Sequence, residues 1–328
     1  MKRRCLWLAA SASALAGVLA FLQARAQTGR PLRRVGVLRI GVTASADAGV
    51  RDLRSALQKQ GFADGRDIVL EARSADGRPE TLARLAAELG ALKPAVIVTY
   101  GPQATHAVLA ADPDVPVVAI LGDFVALGFA AGLTRPGGRV TGVSFLGTPL
   151  AAKRLELLAE LLPKGGAVLN LGDPATRSAP LDDAIATATR SLGLVSHAAL
   201  AGTPQEIDAA FATARRLRVS GVNVLGSPFL NSQRAHIIDL AAKAHLPAVY
   251  QWPQSARDGG LMAYGPSAVA MDQQVAAYVA RLLNGARPGD LPIEQPTRFE
   301  LVINLKTARA LGLTVPPSLL LRADEVVE

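Results

Sequence analysis

Short apolar runs rich in β-branched residues alternate with amphipathic segments of helical period along most of this chain, and that alternation is its strongest constraint. Residues 34–40 read RVGVLRI, 95–99 read AVIVT and 117–121 read VVAIL. Strands made of such unbroken runs must be covered on both faces, as in parallel sheets. Between them, Val50, Leu53 and Leu57 share one helical face of 47–60, and Gly61 is placed to end that helix. Residues 79–89 align Leu82, Leu85, Ala86 and Leu89 behind Pro79, which suits the first turn of a helix. A strand over 67–70 and a helix over 102–111 complete the set.

The pattern repeats after Pro136-Gly137-Gly138. Residues 139–145 are strand-like, and Thr148-Pro149 opens a helix to Leu162. Strands over 167–171 and 194–200 flank a helix ending at Leu192. Thr203-Pro204-Gln205-Glu206 is a capping box with proline at the first helical position, so a helix starts there. A strand over 221–225, a helix to Ala244 and a strand over 247–250 follow. Two blocks, about 32–144 and 145–263, each fit a doubly wound α/β domain. What remains is one helix over 266–284 and a strand with a short helix within 293–328. That is too little for a third domain. It must be added to the first two, so the chain has to cross between lobes more than once.

The first residues, MKRRCLWLAASASALAGVLAFLQARAQ, join a basic start to an uncharged apolar run and to Ala24-Arg25-Ala26. Residues 1–26 are therefore expected to be a cleavable signal peptide, with a mature chain starting at Gln27 in the periplasm. Cys5, the one cysteine of the chain, precedes the apolar run. It cannot act as a lipoprotein acceptor, and the mature chain has neither disulfide nor thiol chemistry. Lys2, Arg3, Arg4 and Arg25 would leave with that segment and reduce the net charge of +8 to about +4. Such a charge suits solubility and is no nucleic-acid footprint.

Motifs for common chemistries are missing. No G-x-G-x-x-G follows the first strand, and there is no P-loop and no G-x-S-x-G elbow. No cofactor is expected. His106, His197, His236 and His245 are scattered without metal-like spacing, and Asp182-Asp183 stands at a helix start where the dipole favours acids. What does recur is a small, polar, glycine-bearing loop after each apolar run: Gly41-Val42-Thr43-Ala44-Ser45, Tyr100-Gly101-Pro102-Gln103, Gly122-Asp123-Phe124, Gly172-Asp173-Pro174, Gly226-Ser227-Pro228-Phe229 and Gln251-Trp252. In a doubly wound sheet these are the carboxyl ends of the strands, where ligands bind.

Three stretches, LTRPGGRVTGVSF (133–145), LPAVY with DGGLMAYGPS (246–267) and LPIEQPTRFELVINLKTARALGLTVPPSLLLRADEVVE (291–328), carry a resemblance over nearly the whole mature chain. The chain resembles the tryptophan-binding-type substrate-binding proteins of ABC transporters, which have the type 1 periplasmic binding protein fold. The resemblance implies two doubly wound, Rossmann-like α/β lobes joined by a three-crossover hinge. One lobe would be 33–143 with 265–295, the other 146–262 with 299–328. Crossings are expected near 142–145, 261–264 and 298–301. It also implies a small-molecule ligand, an amino acid of aromatic or branched type, held between the lobes by hinge closure. An inner-membrane ABC permease would be the partner, nucleic acid would not, and the protein would be monomeric and not an enzyme. Ligand contacts are expected from Thr43, Ser45, Tyr100, Gly101, Gln103, Gly122, Asp123, Asp173, Ser227, Phe229, Tyr264 and Gly265. Asp123 would hold the ligand ammonium, helix-start N–H groups near Gln103 or Phe229 its carboxylate, and Tyr264 would face the cleft. Members often carry an acid near the position of Ser227, which here is neutral. Two alternatives stay open: a binding protein that feeds a sensor, and an exported α/β enzyme built on Asp123, Asp173 and Tyr264.

Overall fold

The computed structural model describes residues 32–41 and 43–328, with the backbone alone for 43–48. The expected signal peptide lies outside the described residues. Strands β1 (Arg33–Arg39), β2 (Ile68–Ser74), β3 (Val96–Tyr100), β4 (Val117–Leu121) and β5 (Val140–Ser144) form one sheet in the order β2-β1-β3-β4-β5. The pairs β1·β3, β3·β4 and β4·β5 are parallel. Helices α1 (Thr43–Lys59), α2 (Leu82–Ala91) and α3 (Pro102–Ala111) connect them. The sheet is buried on both faces, as its apolar runs require. Val35, Val37, Val98 and Val118 pack on one side with Leu53 and Leu57 of α1. Leu38, Ile40, Ile97 and Ala119 pack on the other with Leu85 and Leu89 of α2.

After Ser144 the chain enters a second layer through α4 (Gly147–Ala159). Strands β6 (Ala167–Gly172), β7 (Val195–Leu200), β8 (Gly221–Val224), β9 (Ala248–Tyr250) and β10 (Met262–Pro266) line up as β7-β6-β8-β9-β10, all parallel. This repeats the order of the first sheet. Helices α5 (Ala179–Ser191), α6 (Pro204–Arg216), α7 (Pro228–Ser232), α8 (Arg234–Lys243) and α9 (Pro253–Arg257) fill the connections. The expected capping box starts α6: the Thr203 hydroxyl accepts the Glu206 N–H, and the Glu206 carboxylate accepts the Thr203 N–H. The single helix expected up to Ala244 is two, α7 and α8, parted at Gln233. Helix α9 falls where the sequence analysis assigned no element. One turn is too short for a visible period.

The surplus C-terminal elements are divided between the sheets. Helix α10 (Ala268–Leu283) packs Met271, Val275, Tyr278 and Val279 against the first sheet's core. Strand β11 (Phe299–Asn304) then pairs antiparallel with β10. Helices α11 (Leu305–Ala310) and α12 (Pro317–Leu320) follow, and β12 (Glu325–Val327) closes the edge beside β11. The chain thus crosses three times: after Ser144, after Pro266, and between Glu294 and Phe299. Glu294 is bridged to Val143, and its carbonyl accepts the Ser144 N–H at 2.8 Å, so the first and third crossings run side by side. The second crossing comes later than 261–264. Tyr264, Gly265 and Pro266 still pair with Leu301, Glu300 and Phe299 in the second sheet. Among the described residues no helix is long and apolar enough to cross a membrane.

Candidate functional site

In each sheet the strand order reverses between a first and a third strand, β1 and β3 in one, β6 and β8 in the other. The crevice at the carboxyl ends of such strands is where open α/β sheets take ligands. Here the two crevices face each other and touch. Gly101, after β3, lies so close to Pro228, after β8, that a Cβ on it would stand 2.3 Å from the proline Cγ. A Cβ on Gly77 would stand 2.9 Å from the Gln233 side chain.

A hydrogen-bonded cluster sits at this contact. Asp173, directly after β6, is 2 % exposed, and so is Ser227, in the loop that follows β8. The Ser227 hydroxyl donates to Asp173 Oδ2 at 2.5 Å and accepts the Leu230 N–H at 3.2 Å. The Ala175 N–H donates to Asp173 Oδ1 at 2.9 Å. The Gln103 side chain reaches the same carboxylate from the other lobe, and its Oε1 is buried without a partner. Burial pushes the Asp173 carboxyl above the usual carboxylate range, and its bonds from Ser227, Ala175 and Gln103 work against that shift. The sequence named all three residues from their places after apolar runs, and the structure brings them together.

Other named residues have different surroundings. Asp123 lines a shallow pocket with Gly122, Phe145 and Pro228. Its Oδ1 accepts the N–H groups of Val125 and Ala126, both at 3.0 Å, so it caps a turn. The Tyr100 hydroxyl donates to Asp272 Oδ1 of α10 at 2.9 Å, with the Arg39 guanidinium 3.9 Å from the ring centre. That triad fastens α10 to the first sheet. Phe229 is 1 % exposed within the apolar core. Tyr264, expected to face the cleft, is half-buried. It packs on the second lobe's core beside Phe299, 6.1 Å between ring centres, because strand alternation puts it on the side of Met262. The side chains of Thr43 and Ser45 lie outside the described residues.

Sequence reasoning passed over Gln251, Trp252 and Phe145 as site residues. Phe145 and Trp252 form an edge-on pair, 5.9 Å between centres, at the hinge side of the cleft. Gln251 is 4 % exposed, and neither atom of its amide has a partner. A signal was present: Gln251-Trp252 follows an apolar run as the other loops do. Among the described residues no cluster of His, Cys, Asp or Glu could hold a metal.

Comparison with known proteins agrees with this architecture. A curated relative, the tyrosine-binding protein of Clostridioides difficile, is 23% identical over 86% of this chain and 81% of its own length. A conserved domain protein of Vibrio cholerae has a TM-score of 0.83 at 24% identity, over 90% of this chain and all of its own. A Streptococcus pneumoniae ABC domain in complex with L-Trp has a TM-score of 0.81 at 21% identity, again over 90% of this chain and all of its own. These two structures share the fold. The model of the ABC transporter substrate binding protein family matches residues 34–327, and the chain belongs to that family.

Proposed function

We propose that this protein captures an aromatic amino acid between its lobes and delivers it, from the periplasm, to an ABC permease of the inner membrane. In this reading 33–143 with the segment carrying α10 forms one lobe, and 146–262 with the segment from β11 onward forms the other. The observation that carries the reading is the cluster of Gln103, Asp173 and Ser227, drawn from both lobes and buried at their contact. A buried carboxylate ringed by neutral donors suits a ligand ammonium, through a charge-assisted hydrogen bond. Asp173 takes this role because its carboxylate is buried where the lobes touch, between Ser227 of one lobe and Gln103 of the other. The Phe145–Trp252 pair offers the aromatic surface that a ring would seek. The tyrosine-binding relative and the L-Trp complex support the choice of ligand class.

The mechanism needs no catalytic group. A ligand that bridges both lobes binds the closed arrangement better than the open one, and that difference alone shifts the equilibrium. The three crossings can act as hinges while each sheet moves as a body. Titration calorimetry with L-tyrosine and L-tryptophan tests the reading. One site per chain is expected for at least one of them. No heat and no thermal stabilisation with either would reject it.

A further inference from the structure

Trp252 has its backbone on one sheet and its ring on the core of the other. It follows β9 and stands at the start of α9, in the second sheet's layer. That segment is fastened to the far strands of its own sheet. The Asn304 side chain, at the end of β11, donates to the Ala256 carbonyl of α9 at 2.9 Å, and Arg257 of α9 pairs with Glu325 of β12 at 2.7 Å. The half-buried ring of Trp252 packs instead on the core formed by the first sheet with α1 and α10. There it meets Phe145 edge-on. Phe145 is tied to the first sheet: its N–H donates to the Leu121 carbonyl of β4 at 2.9 Å, and a Cβ on Gly122 would stand 3.1 Å from its Cζ. The two sheets cannot part without drawing the Trp252 ring off this core.

From this placement we infer that Trp252 is the latch of the closed arrangement, a positioning residue that sets how often the lobes close. The inference rests on the hinge closure proposed above. It gives the Phe145–Trp252 pair a task apart from any contact with the ligand. Closing takes apolar area of the ring out of water and forms an edge-on aromatic pair, and both favour the closed state. A ligand that needs the closed state binds with an apparent affinity reduced by the fraction of molecules that are closed. The latch therefore scales the affinity for every ligand by one factor and selects among none. Asp173, Ser227 and Gln103 act on the ligand itself, whereas Trp252 acts through the equilibrium between the two arrangements.

Two measurements on Trp252→Ser decide the matter. Serine removes the ring and supplies a capping hydroxyl where α9 begins, a position whose side chain makes no capping bond in the wild type. Residues 27–328 contain no cysteine, so one introduced cysteine on each lobe can carry a dye. Single-molecule energy transfer then reads the closing equilibrium without ligand, and calorimetry reads the affinity for L-tyrosine and L-tryptophan. The ligand-free closing constant should fall roughly 2- to 12-fold, the worth of an aromatic pair. Affinity for each amino acid that the wild type binds should fall by that same factor. Trp252→Phe, which keeps a smaller ring, should lose less of both. A closing constant unchanged in Trp252→Ser would overturn the inference, because a residue that only touches the ligand leaves ligand-free closure alone. Unequal losses for the two amino acids would overturn it as well, as would a ligand-free wild type that never closes. A wild type that binds neither amino acid would overturn the ligand reading alone, since the closing constant still tests the latch.

Discussion

The hydroxyl of Ser227 donates to Asp173 at 2.5 Å, joining the loop after β8 to the loop after β6 at the floor of the cleft. The carboxylate it meets is buried, and burial holds its pKa above the ordinary range. A ligand ammonium pairs with the ionised form. Affinity for L-tyrosine or L-tryptophan should therefore be flat near neutral pH and fall on acidification, starting above the pH at which a free aspartate protonates. Asp173→Asn should remove that slope and weaken binding roughly 10- to 150-fold, the worth of a bond to a charged group of about 1.5–3 kcal/mol. Calorimetry across the pH range reads both effects. An unaltered slope in the variant would assign the dependence to another group.

Asp272 gives a stability prediction of opposite sense to the usual one for an acid. It is 7 % exposed on α10 and accepts the Tyr100 hydroxyl. Burial pushes its carboxyl up to about 6, against the opposing pull of Arg39 and Tyr100. The folded state thus holds this proton more tightly than the unfolded chain. The contribution is fully present below the unfolded pKa near 3.8 and is lost as pH rises through about 6. Asp272→Asn keeps the shape without the charge. Urea unfolding should show the variant gaining about 1–3 kcal/mol on the wild type between acidic and neutral pH. A stability difference that does not change with pH would contradict this.

Gly265→Ala should destabilise the fold by at least about 2 kcal/mol, because the obstacle is a backbone carbonyl that cannot swing away. The clash distance is 1.8 Å, to the Gln251 oxygen. Gly132→Ala is the control. Nothing lies within 4 Å of a Cβ there, and its φ is not positive. Its cost in urea unfolding should stay within about 0.5 kcal/mol.

Arg154 is buried in α4 with no carboxylate beside it. Its Nη1 donates to the Tyr264 carbonyl at 3.3 Å, while Nε and Nη2 have no partner. Burial pushes its pKa down to about 9. Replacing a costly buried charge by an apolar chain of similar length is commonly neutral or stabilising, by roughly 1–4 kcal/mol. Arg154→Met should follow that rule in thermal unfolding. A lowered melting temperature would show that the guanidinium holds α4 to β10 more firmly than one long bond suggests.

Much of the fold was readable because it rests on local signals. Unbroken apolar runs marked the parallel strands, proline and glycine marked the helix ends, and Thr203 to Glu206 marked α6 atom for atom. The strand-end loops could be named for the same reason, and Asp173, Ser227 and Gln103 stand on them. Side-chain direction was harder to read. Tyr264 stands between breakers, which suggested a ligand-facing ring, yet its place depends on the phase of β10 against β11. The glycines around it also have two different causes. Gly259 adopts φ +112, a backbone angle that favours glycine, whereas Gly260 and Gly265 make room for Tyr250 and Gln251. Close approach between strands distant in sequence leaves no periodic trace. The loop of Gln251 could be named from the apolar run before it, but its burial could not, because that depends on Gly226 after β8 and Gly265 in β10.

Closure of the lobes on a ligand is the central claim, and small-angle scattering tests it most directly. The contact of Gly101 with Pro228 belongs to a closed arrangement. The radius of gyration should fall when L-tyrosine or L-tryptophan, whichever calorimetry shows to bind, is added at saturation. The bound profile should match the structure described here, and the free profile should be more extended. An unchanged radius of gyration with ligand demonstrably bound would contradict the account.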